Sequence, residues 1–233
     1  MKLAAPLRLA VRIVPLLVVA LGVTSILFAR GAPSASSAPT AEDVKFIGAT
    51  KCKSCHSSDE TGNQYAKWSG MNHAKAWETL GTDKAKELAK AKGIADPQQS
   101  EACLKCHVTG YGLSPDHFKG KWDPKLGVQC ESCHGPGDAH MKARMADAAK
   151  RDPTAPVEYK GVPAGEISDE VTEAHCRKCH NEESPTFKSF CYHTYTAKIR
   201  HLNPLKKREG EPKMDCTDPC HCAGECTHKC PPK

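Results

Sequence analysis

Four times in this chain, two cysteines separated by two residues are followed at once by histidine. The motifs are Cys52-Lys-Ser-Cys55-His56, Cys103-Leu-Lys-Cys106-His107, Cys130-Glu-Ser-Cys133-His134 and Cys176-Arg-Lys-Cys179-His180. This is the attachment signature of c-type haem. The two thiols add to the two vinyl groups of the porphyrin, and the histidine becomes the proximal ligand of the iron. At the chain's Cys and His frequencies, chance supplies roughly 0.04 such motifs, so four of them decide the reading. Zinc needs four ligands in no particular order and leaves the histidine after every second cysteine unexplained. Four covalently bound haems c are therefore expected, with His56, His107, His134 and His180 as proximal ligands.

That constraint makes sense of a composition that otherwise packs poorly. Aromatic residues are only 6% of the 233 residues, and the mean hydropathy is −0.53. Haems supply the large apolar surfaces that the side chains do not. The protein is thus expected to be built around its cofactors and hardly to fold without them. The formal charge of +6 also needs correcting. Removing residues 1–31 takes away Lys2, Arg8, Arg12 and Arg30 and leaves +2. Eight propionates and the iron centres then bring the total to roughly −2 oxidised and −6 reduced. A nucleic-acid partner has no support; basic residues are better read as partners for propionates.

In chain order, Lys2, Arg8 and Arg12 precede an uncharged run from Ile13 to Ala29. Residues 1–31 read as a signal peptide or an N-terminal membrane anchor, with Ala29-Arg-Gly31 as a cleavage candidate. Either way the haem domain is exported, periplasmic and soluble or tethered. Residues 32–44 are a flexible Ala/Ser/Pro linker, 45–205 the haem domain, and 206–233 a basic, Cys-rich tail. After motif one, Ala66, Gly70, His73, Trp77 and Leu80 share one face of an expected helix. Residues 82–93 read as an exposed helix ended by Gly93. Residues 135–151 read as a helix that Asp138 can cap, with Arg144 able to reach a propionate. Residues 152–169 read as a surface loop, and a last helix carries Phe190, Ala197 and His201 before Asn203-Pro204. Because the irons need sixth ligands, His73, His140 and His201 are candidate distal ligands. His117, His175 and His193 are spare. In the tail, Cys216-Thr-Asp-Pro-Cys220-His221 is one residue longer than the haem motif. Disulfides, with Cys191 making an even count, a fifth haem and a metal site with His228 all remain open there.

The order of these pieces resembles a known family. Motif one is followed by His-Ala-Lys-Ala, motif two continues Val-x-Gly-Tyr-Gly, and motif three continues Gly-Pro-Gly with a later His. A fourth motif and Lys-Ile-x-His-x-x-Pro complete the pattern, which is similar to the cytochrome c-554 family of tetrahaem electron carriers over residues 45–205. The resemblance implies a mainly α fold with long loops, little or no β-sheet, and haems in close stacked pairs. It also implies axial pairs: His56 with His140, His134 with His73, and His180 with His201, leaving the haem on His107 five-coordinate.

Three functions follow. Bis-imidazole iron is six-coordinate and moves electrons without binding substrate. The first reading is therefore an electron carrier between redox partner proteins, a donor dehydrogenase or quinol oxidase and an acceptor cytochrome. An open haem on His107 allows a second, a redox enzyme acting on nitric oxide or hydroxylamine, although no distal acid or base is identified. The third is a homo-oligomer, the subunit of a conductive filament, in which a neighbouring chain supplies the missing histidine.

Overall fold

Three of the four Cys-x-x-Cys-His motifs fall wholly on helices, where both thiols lie along one side of a single helical turn. The computed structural model describes residues 45–208 apart from position 121, and position 193 without its side chain. The apolar segment, the linker and the tail from residue 209 on, with Cys216, Cys220 and His221, lie outside the described residues. By its contacts the chain divides into two units, Met1–Ser37 and Ala38–Lys233, and the described residues all belong to the second.

Among the described residues nine short helices follow one another: α1 (Ala49–His56), α2 (Gln64–Ser69), α3 (Ala76–Leu80), α4 (Asp83–Ala91), α5 (Glu101–His107), α6 (Cys130–His134), α7 (Asp138–Ala148), α8 (Glu173–Arg177) and α9 (Tyr192–Ile199). Two 3₁₀ turns, Pro115–His117 and Pro124–Leu126, lie between α5 and α6. No sheet forms among the described residues; one isolated parallel bridge joins Phe46 to Phe118. The expected mainly α fold with long loops is what the structure shows. Among the described residues no helix is long and apolar enough to cross a membrane.

Several expectations need correcting. The helix expected across His73 is broken into α2 and α3. Gly70 caps α2, and the His73 carbonyl accepts hydrogen bonds from Ala76 N (3.2 Å) and from Val128 N (2.9 Å). In a continuous helix that carbonyl would take its bond from Trp77 four residues on, so a distant partner has captured it. His201 lies beyond its helix, because Arg200 is extended (φ −59°, ψ 131°) at the end of α9. Asp138 is not a cap but the first residue of α7, buried and paired with Lys119 (2.9 Å) and Lys142 (2.7 Å). α4 does begin at a capping residue, Thr82, and Gly93 (φ +72°) closes it, with Ile94 N bonded to Ala89 O at 2.9 Å.

The seam of the fold is polar. Gln129 and Glu131 are almost completely buried, and both reach the start of α1. Gln129 Oε1 accepts from Ala49 N (2.8 Å). The Glu131 carboxylate accepts from Ile47 N (2.9 Å), Gly48 N (2.8 Å) and Gly137 N (2.7 Å). N–H groups that open α1 and have no partner within the helix are thus satisfied by side chains of the motif-three segment. Thr109 joins the same seam, its hydroxyl accepting from Gln129 N (2.7 Å) and lying 2.6 Å from Ser132 Oγ. Trp68 is buried and donates its indole N–H to Val128 O (2.9 Å).

Candidate haem-binding site

The first three motifs lie on α1, α5 and α6. The fourth begins on α8, and its Cys179-His180 lies in the turn that follows. The motif cysteines fall next to one another across motifs. The Cys52 thiol is raised above its ordinary range, first by its hydrogen bond with Cys130 and then by burial. Burial pushes Cys133 up to about 11, with Cys176 adding to the effect. It pushes Cys179 up to about 12, with Cys106 and Cys133 adding to it. Motif one therefore abuts motif three, three abuts four, and four abuts two. None of the eight motif cysteines forms a disulfide.

The histidines meet in pairs. His56 lies 6.2 Å from His140, ring centre to ring centre, with the planes 27° apart. His73 lies 6.0 Å from His180 at 87°, and His134 lies 6.0 Å from His201 at 81°. Each pair joins a motif histidine to one outside the motifs. The spacing leaves room for one metal ion between two ring nitrogens, each about 2 Å from it. Among the described residues no three His, Cys, Asp or Glu side chains converge as a metal cluster. Paired imidazoles beside paired thiols fit haem, whose porphyrin supplies the other four donors.

Two of the three expected pairings are exchanged. His140 does face His56, but His73 faces His180 and His201 faces His134. The chain breaks explain the exchange. Val128 holds the turn that carries His73. The extended Arg200 releases His201 towards the loop 166–170, where Lys206 bonds Asp169 (3.1 Å) and His134 Nδ1 bonds Ser168 O (2.6 Å). The fourth motif histidine, His107, has its Nδ1 on Ala76 O (2.7 Å). No second imidazole faces it in the ring contacts of the described residues. Of the spare histidines, His117 bonds Ser114 Oγ (2.9 Å) and His175 bonds Thr172 at the start of α8 (2.9 Å).

Electrostatics suit ligation. Burial pushes His56, His73, His134 and His180 below the ordinary imidazole range. Their rings are then neutral near pH 7, with a lone pair to give. Nδ1 of His56, His107, His134, His140 and His201 is engaged by an oxygen acceptor. Such bonds fix the tautomer and leave Nε2 for a metal. On the His180 side, Phe190 stacks at 4.8 Å and 21°, and Arg177 lies over Phe190 at 5.1 Å.

Two functional side chains escaped the sequence reading. Arg144, which the sequence puts within reach of a propionate, forks its guanidinium onto Glu166 (Nη2 to Oε1 2.6 Å, Nε to Oε2 3.1 Å). Glu166 in turn takes His140 Nδ1 at 3.1 Å. Glu166 sits in a Pro- and Gly-rich stretch with no periodicity to single it out. Glu131 was hidden inside a motif that defines only its cysteines and histidine.

Comparison with known proteins agrees with the motif order. Residues 51–135 match the family described as cytochrome c554 and c-prime. Cytochrome c-554 of Nitrosomonas europaea is 36% identical over 150 residues, 60% of this chain and 59% of that protein. The chain thus spans about three fifths of the length of the curated relative it matches. The solved reduced state of cytochrome c554 from the same organism is 28% identical with a TM-score of 0.49, over 75% of this chain and 94% of that one. This chain resembles the cytochrome c-554 family, and residues 51–135 carry that family's pattern.

Proposed function

We propose that the chain is a periplasmic c-type cytochrome with four haems, which carries electrons between a donor dehydrogenase or quinol oxidase and an acceptor cytochrome. The observation that supports this most is the set of three histidine pairs at 6.0–6.2 Å. Each pair would close both axial positions of one iron and leave no place for a substrate. Bound haem supplies a one-electron centre whose geometry changes little between ferric and ferrous. Burial favours the neutral rings of His56, His73, His134 and His180, oxygen acceptors engage Nδ1 of His56, His134, His140 and His201, and the motif cysteines lie beside one another in the order one, three, four, two. That arrangement favours transfer from one centre to the next over chemistry at any of them.

Electron paramagnetic resonance on the dilute, oxidised protein tests the reading, together with an intact mass for the haem count. Three low-spin bis-imidazole centres, four added haems and stepwise reversible reduction are expected. Fewer than three low-spin centres would overturn the pairing. A second reading rests on His107, which meets no second imidazole among the described residues. An open site there would bind nitric oxide, and a high-spin signal worth one haem in four that vanishes on adding nitric oxide would favour a nitrogen-oxide enzyme.

A further inference from the structure

We propose that Glu166 is a positioning residue for His140 and makes the haem of motif one the lowest in potential, an inference that rests on the axial pairing proposed above. The partners of Nδ1 set His140 apart. His107, His134 and His201 face the backbone carbonyls of Ala76, Ser168 and Ile199, and His56 faces the amide oxygen of Gln64 at 3.4 Å. These acceptors are neutral. His140 alone among the five faces a carboxylate, at 3.1 Å. The Glu166 side chain is only 15% exposed, so water screens little of its charge.

Arg144 keeps that carboxylate in place. Its two-point grip fixes both oxygens, so Glu166 cannot rotate away from the ring. A carboxylate that accepts the Nδ1–H bond draws the proton towards itself and makes the imidazole a stronger donor at Nε2. A stronger donor favours ferric over ferrous iron and lowers the potential of that haem. Motif one lies at one end of the order one, three, four, two. Electrons are therefore driven from that end inward, towards motif three. Glu166 gives the row of centres a direction.

The experiment is a spectroelectrochemical titration of the haem-loaded protein, wild type against Glu166→Gln, with Glu166→Asp as the conservative variant. His140→Ala identifies the centre, since the haem that loses its low-spin signal there is that of motif one. In Glu166→Gln the reduction equilibrium of that haem alone should shift about tenfold towards ferrous, which is about 59 mV. Haem count and low-spin signals should stay intact, and Glu166→Asp should restore most of the shift. A Glu166→Gln protein with four haems and no potential moved, or with all potentials moved alike, overturns the inference. Low-spin signals untouched in His140→Ala would instead overturn the pairing, and the inference with it.

Discussion

Glu131 stands between the cysteines of motif three, yet its carboxylate is committed to three backbone N–H groups from residues 47, 48 and 137. Burial pushes its carboxyl above the ordinary range, and those three donors work against the rise. Hydrogen bonds to a charged group contribute about 1.5–3 kcal/mol, and orphaned buried donors cost a similar amount. Glu131→Ala should therefore lower stability by about 3 kcal/mol or more. Glu131→Gln should cost less, because it keeps one acceptor but turns an N–H₂ towards a backbone donor. Thermal midpoints of the haem-loaded proteins, followed by circular dichroism, compare the two. Asp138 adds a pH dependence. Burial works to raise its carboxyl, and hydrogen bonds from Lys142 and Lys119 overcome that and lower it. The stabilisation is present above the ordinary carboxyl pKa of about 3.9 and is lost as pH falls through the lower folded value. Asp138→Asn should flatten the fall in midpoint measured in the acid range below about pH 4. At this scale the sequence yields residues whose chemistry has a fixed spacing, the eight cysteines and their four histidines, while the three others expected to face iron follow from the irons' need for sixth ligands. Glu131, Gln129 and Glu166 work through partners 6 to 84 residues away, and no local pattern marks such a role.

Helices here are short because tertiary partners interrupt them. The periodicity of Ala66, Gly70, His73, Trp77 and Leu80 is real, but the backbone between α2 and α3 is held by residues 127 and 128. Gly127 (φ +69°) lies so close that a Cβ would meet His73 O at 2.7 Å and Ala76 N at 3.0 Å. Gly127→Ala should cost about 2 kcal/mol or more, the left-handed penalty plus a backbone clash, and should disturb the low-spin signal of the haem ligated by His73. Gly112 (φ +83°) has open space around its missing Cβ, so Gly112→Ala should cost only the conformational penalty, about 1–2 kcal/mol, and leave every signal in place. Thermal midpoints and paramagnetic resonance on both variants separate strain from clash. The exchanged pairing of His73 and His201 belongs to this scale too. Sequence spacing located both rings, but which motif histidine each faces goes with where the helix breaks, at the His73 carbonyl held by Val128 N and at the extended Arg200.

The molecule as a whole has little apolar material of its own. Ile47, Trp68, Leu80, Val108 and Phe190 are its larger buried hydrophobic side chains among the described residues. Produced without haem attachment, the chain should show a far-ultraviolet spectrum with little helix and no cooperative thermal transition. Retention of helix without cofactor would show that the polar seam suffices. That seam has a further consequence, for the order of assembly. The side chains that close the start of α1 lie 80 to 84 residues downstream of the N–H groups they satisfy. A ribosome makes the chain from its N-terminus, so Cys52, Cys55 and His56 emerge well before Gln129 and Glu131 exist. During that interval the first motif can pack only on α2, through His56 and Gln64, and the N–H groups of residues 47, 48 and 49 lack the side chains that later satisfy them. Arrival of the third motif then shuts the first.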